Sequence, residues 1–285
     1  IDAHMHLFEV QSPQYPRGVH PLYPADMRAP LDAYLENMER HGIDRAVMVS
    51  LDDHDEYARE CQRRTDGRLG VVGVVREGAL DPAADFAERH AAMPMVGFRI
   101  WSLGEKVGEE WSFLPLMKEL ERSGVAAWFY GSPDQLRQLP QALEACPDLI
   151  VVLNHLGFCQ QGFLVDDFGR PRVPNAIPPE TFDITLALAQ LPQVAVMFSG
   201  HYAFSGEDYP YRDLRGVSTA LVDAYGPERL LWASDWPWIQ KNPGYAAITD
   251  LVDDHLPGLT PDQRANILGG NAARILRWEN DAPPP

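Results

Sequence analysis

The sequence predicts an α/β protein built as a (β/α)8 barrel of the TIM type, with parallel strands and an extra C-terminal helix. Eight short apolar runs alternate with amphipathic segments along the chain, and this alternation is typical of a parallel sheet covered by helices. Several runs, such as 71–75 and 149–153, are apolar throughout, as strands buried on both faces are. Connections from helix into strand are short, whereas those from strand into helix are often long, which is typical of a barrel enzyme.

Each predicted strand is followed by a segment in which apolar residues recur every three or four positions, as on one face of a helix. The strands are predicted at 1–7, 46–50, 70–75, 95–101, 125–131, 149–155, 194–200 and 230–236. The helices are predicted at 29–41, 52–64, 81–91, 112–122, 133–145, 180–190, 213–224 and 244–255. A further helix is predicted at 261–277, and because no break in composition divides the chain, residues 1–285 are expected to form one barrel domain.

The long connections after the strands predict where the active site lies. A barrel enzyme carries its functional loops at the carboxyl ends of its strands, so we expect the site at that end. The long connections are 8–28, 102–111, 156–179 and 201–212. The segment 156–179 is rich in Gly, Pro and Asp and is long for an unstructured connection, so it is predicted to be a lid.

Composition narrows the class of function. Twenty-four basic and 41 acidic residues give a formal net charge of −17, which disfavours a nucleic-acid partner. The chain has no run of about 18 apolar residues, so no membrane span is expected. Three widely spaced cysteines without a CxxC pattern fit a reducing compartment. We therefore predict a cytoplasmic protein that acts on a small-molecule substrate, and the sequence leaves a homo-oligomer open.

Two histidines on the first predicted strand are candidates for chemistry. His4 and His6 are two residues apart, so both side chains point to the same face of the strand. In a barrel that face can be the lumen, where two imidazoles can hold a divalent ion or polarise a carbonyl group. The alternative is a pair of structural histidines, because an HxH pattern alone is weak.

Two further polar residues end predicted strands. His155 follows the run 149–153, and Asp235 ends the run 230–235 just before Trp236-Pro237. Both lie where a barrel keeps its active site. A lone histidine at a strand end is often a core residue. Together with the HxH pair, however, His155 and Asp235 predict a site in which four side chains converge.

Four motifs resemble those of a known family and occur in the family's order over nearly the whole chain. They are Ile1-Asp-Ala-His-Met-His6, Val152-Leu-Asn-His-Leu-Gly157, Leu231-Trp-Ala-Ser-Asp-Trp-Pro237 and Gly270-Asn-Ala-Ala-Arg-Ile-Leu276. The sequence is similar to the amidohydrolase superfamily, and within it to the "amidohydrolase 2" branch of sugar lactonases, 2-pyrone-4,6-dicarboxylate lactonase and related decarboxylases. The resemblance implies a distorted barrel in which Asp235 is the general base that takes a proton from water.

Departures from the family pattern refine this expectation. Binuclear members carry a carbamylated lysine on the fourth strand, but here that strand, 96–101, has none, so a binuclear centre is not expected. Mononuclear members, decarboxylases included, usually have a histidine on the fifth strand, where this chain has Tyr130. This favours the lactonase-like subgroup, in which a metal is single, weakly held or absent. One divalent ion is expected at His4, His6, His155 and Asp235, with Zn2+ as the first candidate. A site without a metal is the alternative.

Other residues near the strand ends are predicted to contact a substrate. They are Arg99, Trp101, Tyr130, Tyr202 and Trp236. Arg99 can pair with a substrate carboxylate, or it can form a structural ion pair. The tyrosines can hydrogen-bond a carbonyl or hydroxyl group, and the tryptophans can form an apolar wall for a flat ring or simply fill the core.

The predicted reaction is hydrolysis of a cyclic ester. Asp235 deprotonates a water molecule, and His4 and His6 stabilise the oxyanion, directly or through an ion. His155 or His201 steadies the intermediate or protonates the leaving alkoxide. One alternative is metal-dependent, non-oxidative decarboxylation of an unsaturated or aromatic acid. A second alternative is a barrel that only binds a ligand and catalyses nothing.

Overall fold

A computed structural model of the protein describes residues 1–108, 110–159, 162–174 and 176–278. Eight parallel strands lie in one sheet in the order in which they occur in the chain. The strands are β1 (Asp2–Met5), β2 (Ala46–Val49), β3 (Leu69–Val74), β4 (Gly97–Ile100), β5 (Ala126–Phe129), β6 (Val151–Leu153), β7 (Val194–Phe198) and β8 (Leu230–Trp232). The predicted barrel is confirmed, and each strand lies inside or close to its predicted run.

The barrel closes where the end of β8 meets β1. Met5 and Trp236 form a parallel bridge. The His6 amide donates to the Trp236 carbonyl at 2.8 Å, and the Asp235 amide donates to the His4 carbonyl at 2.9 Å. The two segments that carry the predicted histidine pair and the predicted base are therefore direct neighbours.

Helices cover the outer face of the sheet. They are α1 (Leu31–His41), α2 (Glu56–Arg64), α3 (Pro82–Ala92), α4 (Leu114–Ser123), α5 (Pro133–Leu143), α6 (Phe182–Ala187), α7 (Arg215–Tyr225) and α8 (Tyr245–His255). Helix α1 buries Leu31, Tyr34 and Met38, so the spacing that predicts the helix also supplies its packing face. Among the described residues, none of the helices is long and apolar enough to cross a bilayer.

Two helix predictions need correction. The segment predicted at 180–190 ends as an α-helix at Ala187 and continues as the 3-10 turn Leu188–Gln190. The segment predicted at 261–277 is two short helices, Pro261–Ala265 and Asn271–Ile275, joined by the π-helical turn Asn266–Gly270. The wider turn places the Asn271 side chain so that it donates to the carbonyls of Pro227 and Leu230, which fixes this C-terminal segment to the start of β8.

The interior of the barrel has an apolar amino end. Small side chains from the strands pack there around Trp128, and Ile275, Leu276 and Trp278 of the C-terminal segment pack against them. The Trp278 ring reaches Gly70 near the start of β3, where an added Cβ would lie 3.3 Å from it. The C-terminal segment thus seals the amino end, and the carboxyl end is left for the site.

The predicted lid contains a short hairpin between Leu164–Val165 and Pro171–Arg172. Two contacts fix it to the segment after β7: the Val173 amide donates to the Ala203 carbonyl at 2.8 Å, and Arg172 donates to the Tyr202 carbonyl at 2.9 Å. Positions 160, 161 and 175 of this segment lie outside the described residues. The hairpin therefore stands over the carboxyl end of the barrel as an ordered element.

Candidate active site

A cavity of ≈ 250 Å³ opens at the carboxyl end of the strands. Its floor carries His6, Arg99, His155 and Asp235, and its walls come from the loop after β1, the lid hairpin and the segments after β7 and β8. A second cavity, of ≈ 300 Å³, lies between α2 and α3. Its charged groups include Arg89 and Asp55, which pair with each other at 2.7 Å, so the chemistry belongs to the first cavity.

The HxH pair is buried and faces the barrel interior. The register of β1 against β2 shifts between Asp2 and Met5, and the Nε2 atoms of His4 and His6 lie 3.2 Å apart. His6 Nδ1 lies 2.7 Å from the Val49 carbonyl. That nitrogen therefore carries the proton, and Nε2 presents a lone pair to the cavity. The Trp128 indole donates to His4 Nδ1 at 3.4 Å, and His4 Nε2 lies between His6 Nε2 and an Arg99 nitrogen.

Asp235 follows β8 with a positive φ of 60°, and the residue is 3% exposed. The Tyr202 hydroxyl donates to Oδ2 at 2.6 Å. Oδ1 lies 3.3 Å from His6 Nε2 and 3.8 Å from His4 Nε2, and it has no hydrogen-bond partner among the described residues. Burial would raise the pKa of Asp235, but His155, His6 and Tyr202 outweigh it and lower the pKa to about 2. Asp235 is therefore ionised and has one free oxygen.

His155 begins a 3-10 turn directly after β6. Its Nδ1 is 2.9 Å from the Ser199 hydroxyl, and its Nε2 is 3.8 Å from Asp235 Oδ2. Gly200 has a φ of 76°, and a Cβ there would lie 2.9 Å from the His155 Cβ, so only glycine lets the ring sit in this place. Burial, with the charge of Arg99, lowers the pKa of His155 to about 4 despite the opposing effect of Asp235, so the ring is neutral at pH 7.

The donor set fits a single divalent ion. One ligand atom each from His4, His155 and Asp235 lie within 4.8 Å of one another, and imidazole nitrogens with a carboxylate oxygen are ligands that Zn2+ prefers. The unpartnered Asp235 Oδ1 is the free oxygen that such an ion needs. The bond from His6 Nδ1 to the Val49 carbonyl is the outer contact typical of a metal-binding histidine. An Arg99 nitrogen only 3.4 Å from His4 Nε2 opposes a bound cation.

Three of the predicted substrate contacts line the cavity, namely Arg99, Trp101 and Tyr130. Arg99 is buried, its Nε has no hydrogen-bond partner, and its guanidinium lies 6.0 Å from the Trp101 ring centre. Burial lowers the pKa of Arg99 to about 10, so it stays cationic at pH 7. Burial raises the pKa of Tyr130 to about 12, so its phenol stays a hydrogen-bond donor.

Four other predicted residues do not line the cavity. One of them is His4, which is fully buried with its Nε2 3.2 Å from His6 Nε2. The Trp236 ring packs on Tyr34 at 5.1 Å on the outer side of the sheet, because the positive φ of Asp235 turns the chain there. The His201 ring packs on Phe198 and His255, also outside the sheet, so the predicted proton donor does not reach the substrate space. Tyr202 contacts Asp235 and acts through it.

The structure adds lining residues that the sequence analysis did not assign. They are His20, Leu22, Tyr23, Leu51, Phe163, Pro171, Val173, Ala203, Phe204 and Trp238. His20 packs on Tyr23 and Phe163, with ring centres 5.2 and 5.0 Å away. The length of the loops after β1 and β6 was the signal that these segments reach the site, but length alone does not say which side chains turn inward.

Known proteins share this architecture. The chain is 28% identical to the 4-sulfomuconolactone hydrolase of Rhizobium radiobacter, over 96% of this chain and 89% of the relative. It is 26% identical to the L-fucono-1,5-lactonase of Burkholderia ambifaria, over 97% of this chain and 95% of the relative. The solved structure of an amidohydrolase from Burkholderia multivorans with bound zinc superposes with a TM-score of 0.71 at 23% identity, covering 97% of this chain and 98% of that one.

The family assignment follows from the extent of the match. The amidohydrolase family matches residues 1–278, which include every strand of the barrel and every residue of the site described above. The resemblance read from the four sequence motifs is confirmed. The chain belongs to the amidohydrolase family of hydrolases.

Proposed function

We propose that this protein opens a lactone ring by adding water to the ring carbonyl. The observation that carries the proposal is the ionised Asp235 carboxylate at the floor of the cavity, whose free Oδ1 lies 3.3 Å from His6 Nε2 and 3.8 Å from His4 Nε2. A buried carboxylate with a free oxygen is placed to accept a proton from water. The two curated relatives described above are hydrolases of lactones, which supports the same class of substrate here.

The residues of the chain supply each proton transfer. Asp235 Oδ1 accepts a proton from water while the water oxygen bonds to the lactone carbonyl carbon. Negative charge builds on the carbonyl oxygen, and the Tyr130 hydroxyl, which lines the cavity, is a donor for it. The ring carbon–oxygen bond then breaks. His155, whose Nε2 lies 3.8 Å from Asp235 Oδ2, donates a proton to the leaving oxygen and recovers one from the protonated Asp235, so the product is an open hydroxy acid.

We further propose that His4, His6, His155 and Asp235 bind one divalent ion weakly, with Zn2+ the ion best suited to the donors. When bound, such an ion would polarise the lactone carbonyl. The weak affinity follows from the Arg99 guanidinium beside His4. Calorimetric titration of chelator-treated protein with Zn2+, and its melting temperature with and without Zn2+, test this. No heat and no shift in melting temperature would contradict the ion site and leave the hydrolase proposal standing.

The first test of function is a pH-indicator assay on a panel of sugar lactones, muconolactones and pyrones. Acid release is expected from at least one compound, and the Asp235→Asn variant should release it about 10²- to 10⁴-fold more slowly. Carbon dioxide release from unsaturated or aromatic acids, without any lactone opening, would instead indicate a decarboxylase. No turnover of either kind would indicate a barrel that only binds its ligand. The cytoplasmic location and the single domain stay predictions.

A further inference from the structure

We propose that the cavity takes a small, flat, largely apolar lactone that carries one anionic group, and not a sugar lactone or a dicarboxylate. The inference rests on the proposed lactonase function and names its substrate class. A volume of ≈ 250 Å³ lies just below the usual range for ligand pockets, about 300–1,000 Å³. The substrate is therefore small, and the charges and walls of the cavity decide its chemistry.

The single anionic group follows from Arg99. Within the described part of the chain, Arg99 is the only Lys or Arg side chain that lines the cavity, and Asp235 is the only carboxylate. No carboxylate of the described residues lies within ion-pair distance of Arg99. A buried guanidinium without a close partner is poorly compensated, and a substrate carboxylate or sulfonate bound in a fork would satisfy it.

The position of Arg99 also places this group on the substrate. One of its terminal nitrogens lies 3.4 Å from His4 Nε2, which lies 3.8 Å from Asp235 Oδ1, the atom that takes the proton from the attacking water. The anionic group and the carbonyl therefore lie along the same edge of the ring. Charge on the opposite edge would face the apolar wall, where it would be buried without a partner.

The rest of the substrate meets apolar surface. Away from the floor, the wall is formed mainly by Leu22, Leu51, Trp101, Phe163, Phe204 and Trp238. Among the described residues no amide and no Ser or Thr hydroxyl lines the cavity, and the polar groups of its wall are those of His20, Tyr23 and Tyr130. The several hydroxyl groups of a sugar lactone would lose water there and find few new partners, which is unfavourable. Aromatic side chains instead favour a flat unsaturated ring.

The test compares four lactones by kcat/KM. They are a butenolide with one carboxymethyl group, its methyl ester, 2-pyrone-4,6-dicarboxylate and a hexono-1,5-lactone. We expect the monoacid to exceed each of the others by roughly 10²- to 10³-fold, as expected when a buried charge gains or lacks its partner. In Arg99→Met the ratio of kcat/KM for the monoacid to kcat/KM for the ester should fall towards one, mainly through a higher KM for the acid. Arg99→Lys, which keeps the charge without the fork, should retain part of the ratio.

The outcomes separate this inference from the proposed function. Faster opening of the sugar lactone, the dicarboxylate or the neutral ester, abolished by Asp235→Asn, would overturn the substrate class while the lactonase stands. Absence of opening of all four compounds would count against both. If Arg99→Met does not fold, which circular dichroism would show, the ratios of the unmodified protein and of Arg99→Lys still decide the question.

Discussion

Two buried carboxylates lie at the seam between β1 and β8, and they differ in how completely they are bonded. Asp2, which is fully buried, accepts hydrogen bonds from the hydroxyls of Tyr34, Tyr245 and Ser234 and from the backbone amides of Ser234 and His4. Asp235 accepts one, from Tyr202, and its Oδ1 has no partner among the described residues. Buried polar groups are normally satisfied, so the exception identifies the carboxylate that is kept for chemistry.

The pKa values of the two carboxyl groups also differ. Burial raises the pKa of Asp2 in spite of its hydrogen bonds, whereas the neighbouring imidazoles bring the pKa of Asp235 down to about 2 against the effect of burial. Asp2 joins β1, α1, α8 and the end of β8 through its partners, so its role is to hold the seam closed. Asp235 faces the cavity, so its role is to react.

The largest expected effect separates these roles. Asp235→Asn should lower kcat by about 10²- to 10⁴-fold, because the general base is lost. At pH 7 the free energy of unfolding should fall by no more than about 2.6 kcal/mol, which is the contribution of the lowered pKa, because Asn keeps an oxygen that can accept from Tyr202. Steady-state kinetics and urea unfolding of the same preparation measure both quantities. A larger loss of stability together with a nearly unchanged kcat would show that Asp235 is structural.

The matched change at the other carboxylate should have the opposite profile. Asp2→Asn places an NH2 group among five donors, and each buried group left unpaired costs about 1–3 kcal/mol. We expect the free energy of unfolding to fall by about 2–4 kcal/mol and kcat of the folded fraction to fall by less than roughly tenfold, because Asp2 does not touch the cavity. Equal losses of kcat in the two variants would break the distinction.

Sequence alone predicted the barrel and the four converging polar residues for a simple reason. Strands buried on both faces read as apolar runs, so polar residues at their ends, such as His155 and Asp235, stand out. Whether a side chain near a strand end points into the barrel or outward depends on local turns, and the sequence pattern does not reveal these turns. The positive φ of Asp235 and of Gly200 sends Trp236 and His201 outward. The network around Asp2 was also invisible, because its donors lie up to 243 residues apart from it in the chain.

A smaller loss of activity is expected when the hydrogen-bond donor of Asp235, the Tyr202 hydroxyl, is removed. Tyr202→Phe removes the 2.6 Å bond to Oδ2 and should lower kcat by roughly 10- to 100-fold, because a hydrogen bond to a charged group contributes about 1.5–3 kcal/mol. Tyr34→Phe is the matched control, since it removes one donor from Asp2. It should lower the unfolding free energy by about 1–3 kcal/mol and leave kcat nearly unchanged. A similar kcat in both variants would contradict the positioning role of Tyr202.

The smallest expected effect is a difference in acid stability. The pKa of Asp235 is about 2 in the folded protein and about 3.9 in the unfolded chain. Its stabilising contribution is therefore complete above pH 4 and is lost as the pH falls towards 2. The raised pKa of Asp2 acts in the opposite direction. Folding favours protonation of this carboxyl group, so its contribution to stability is lost as the pH rises through the folded pKa.

We therefore compare how far the free energy of unfolding falls when the pH is lowered from 4 to 3. The fall should be smaller in Asp235→Asn than in the unmodified protein, by up to about 1 kcal/mol, and larger in Asp2→Asn than in the unmodified protein. Urea unfolding at the two pH values measures this difference. Parallel losses in the two variants would mean that the surrounding groups do not distinguish the two carboxylates.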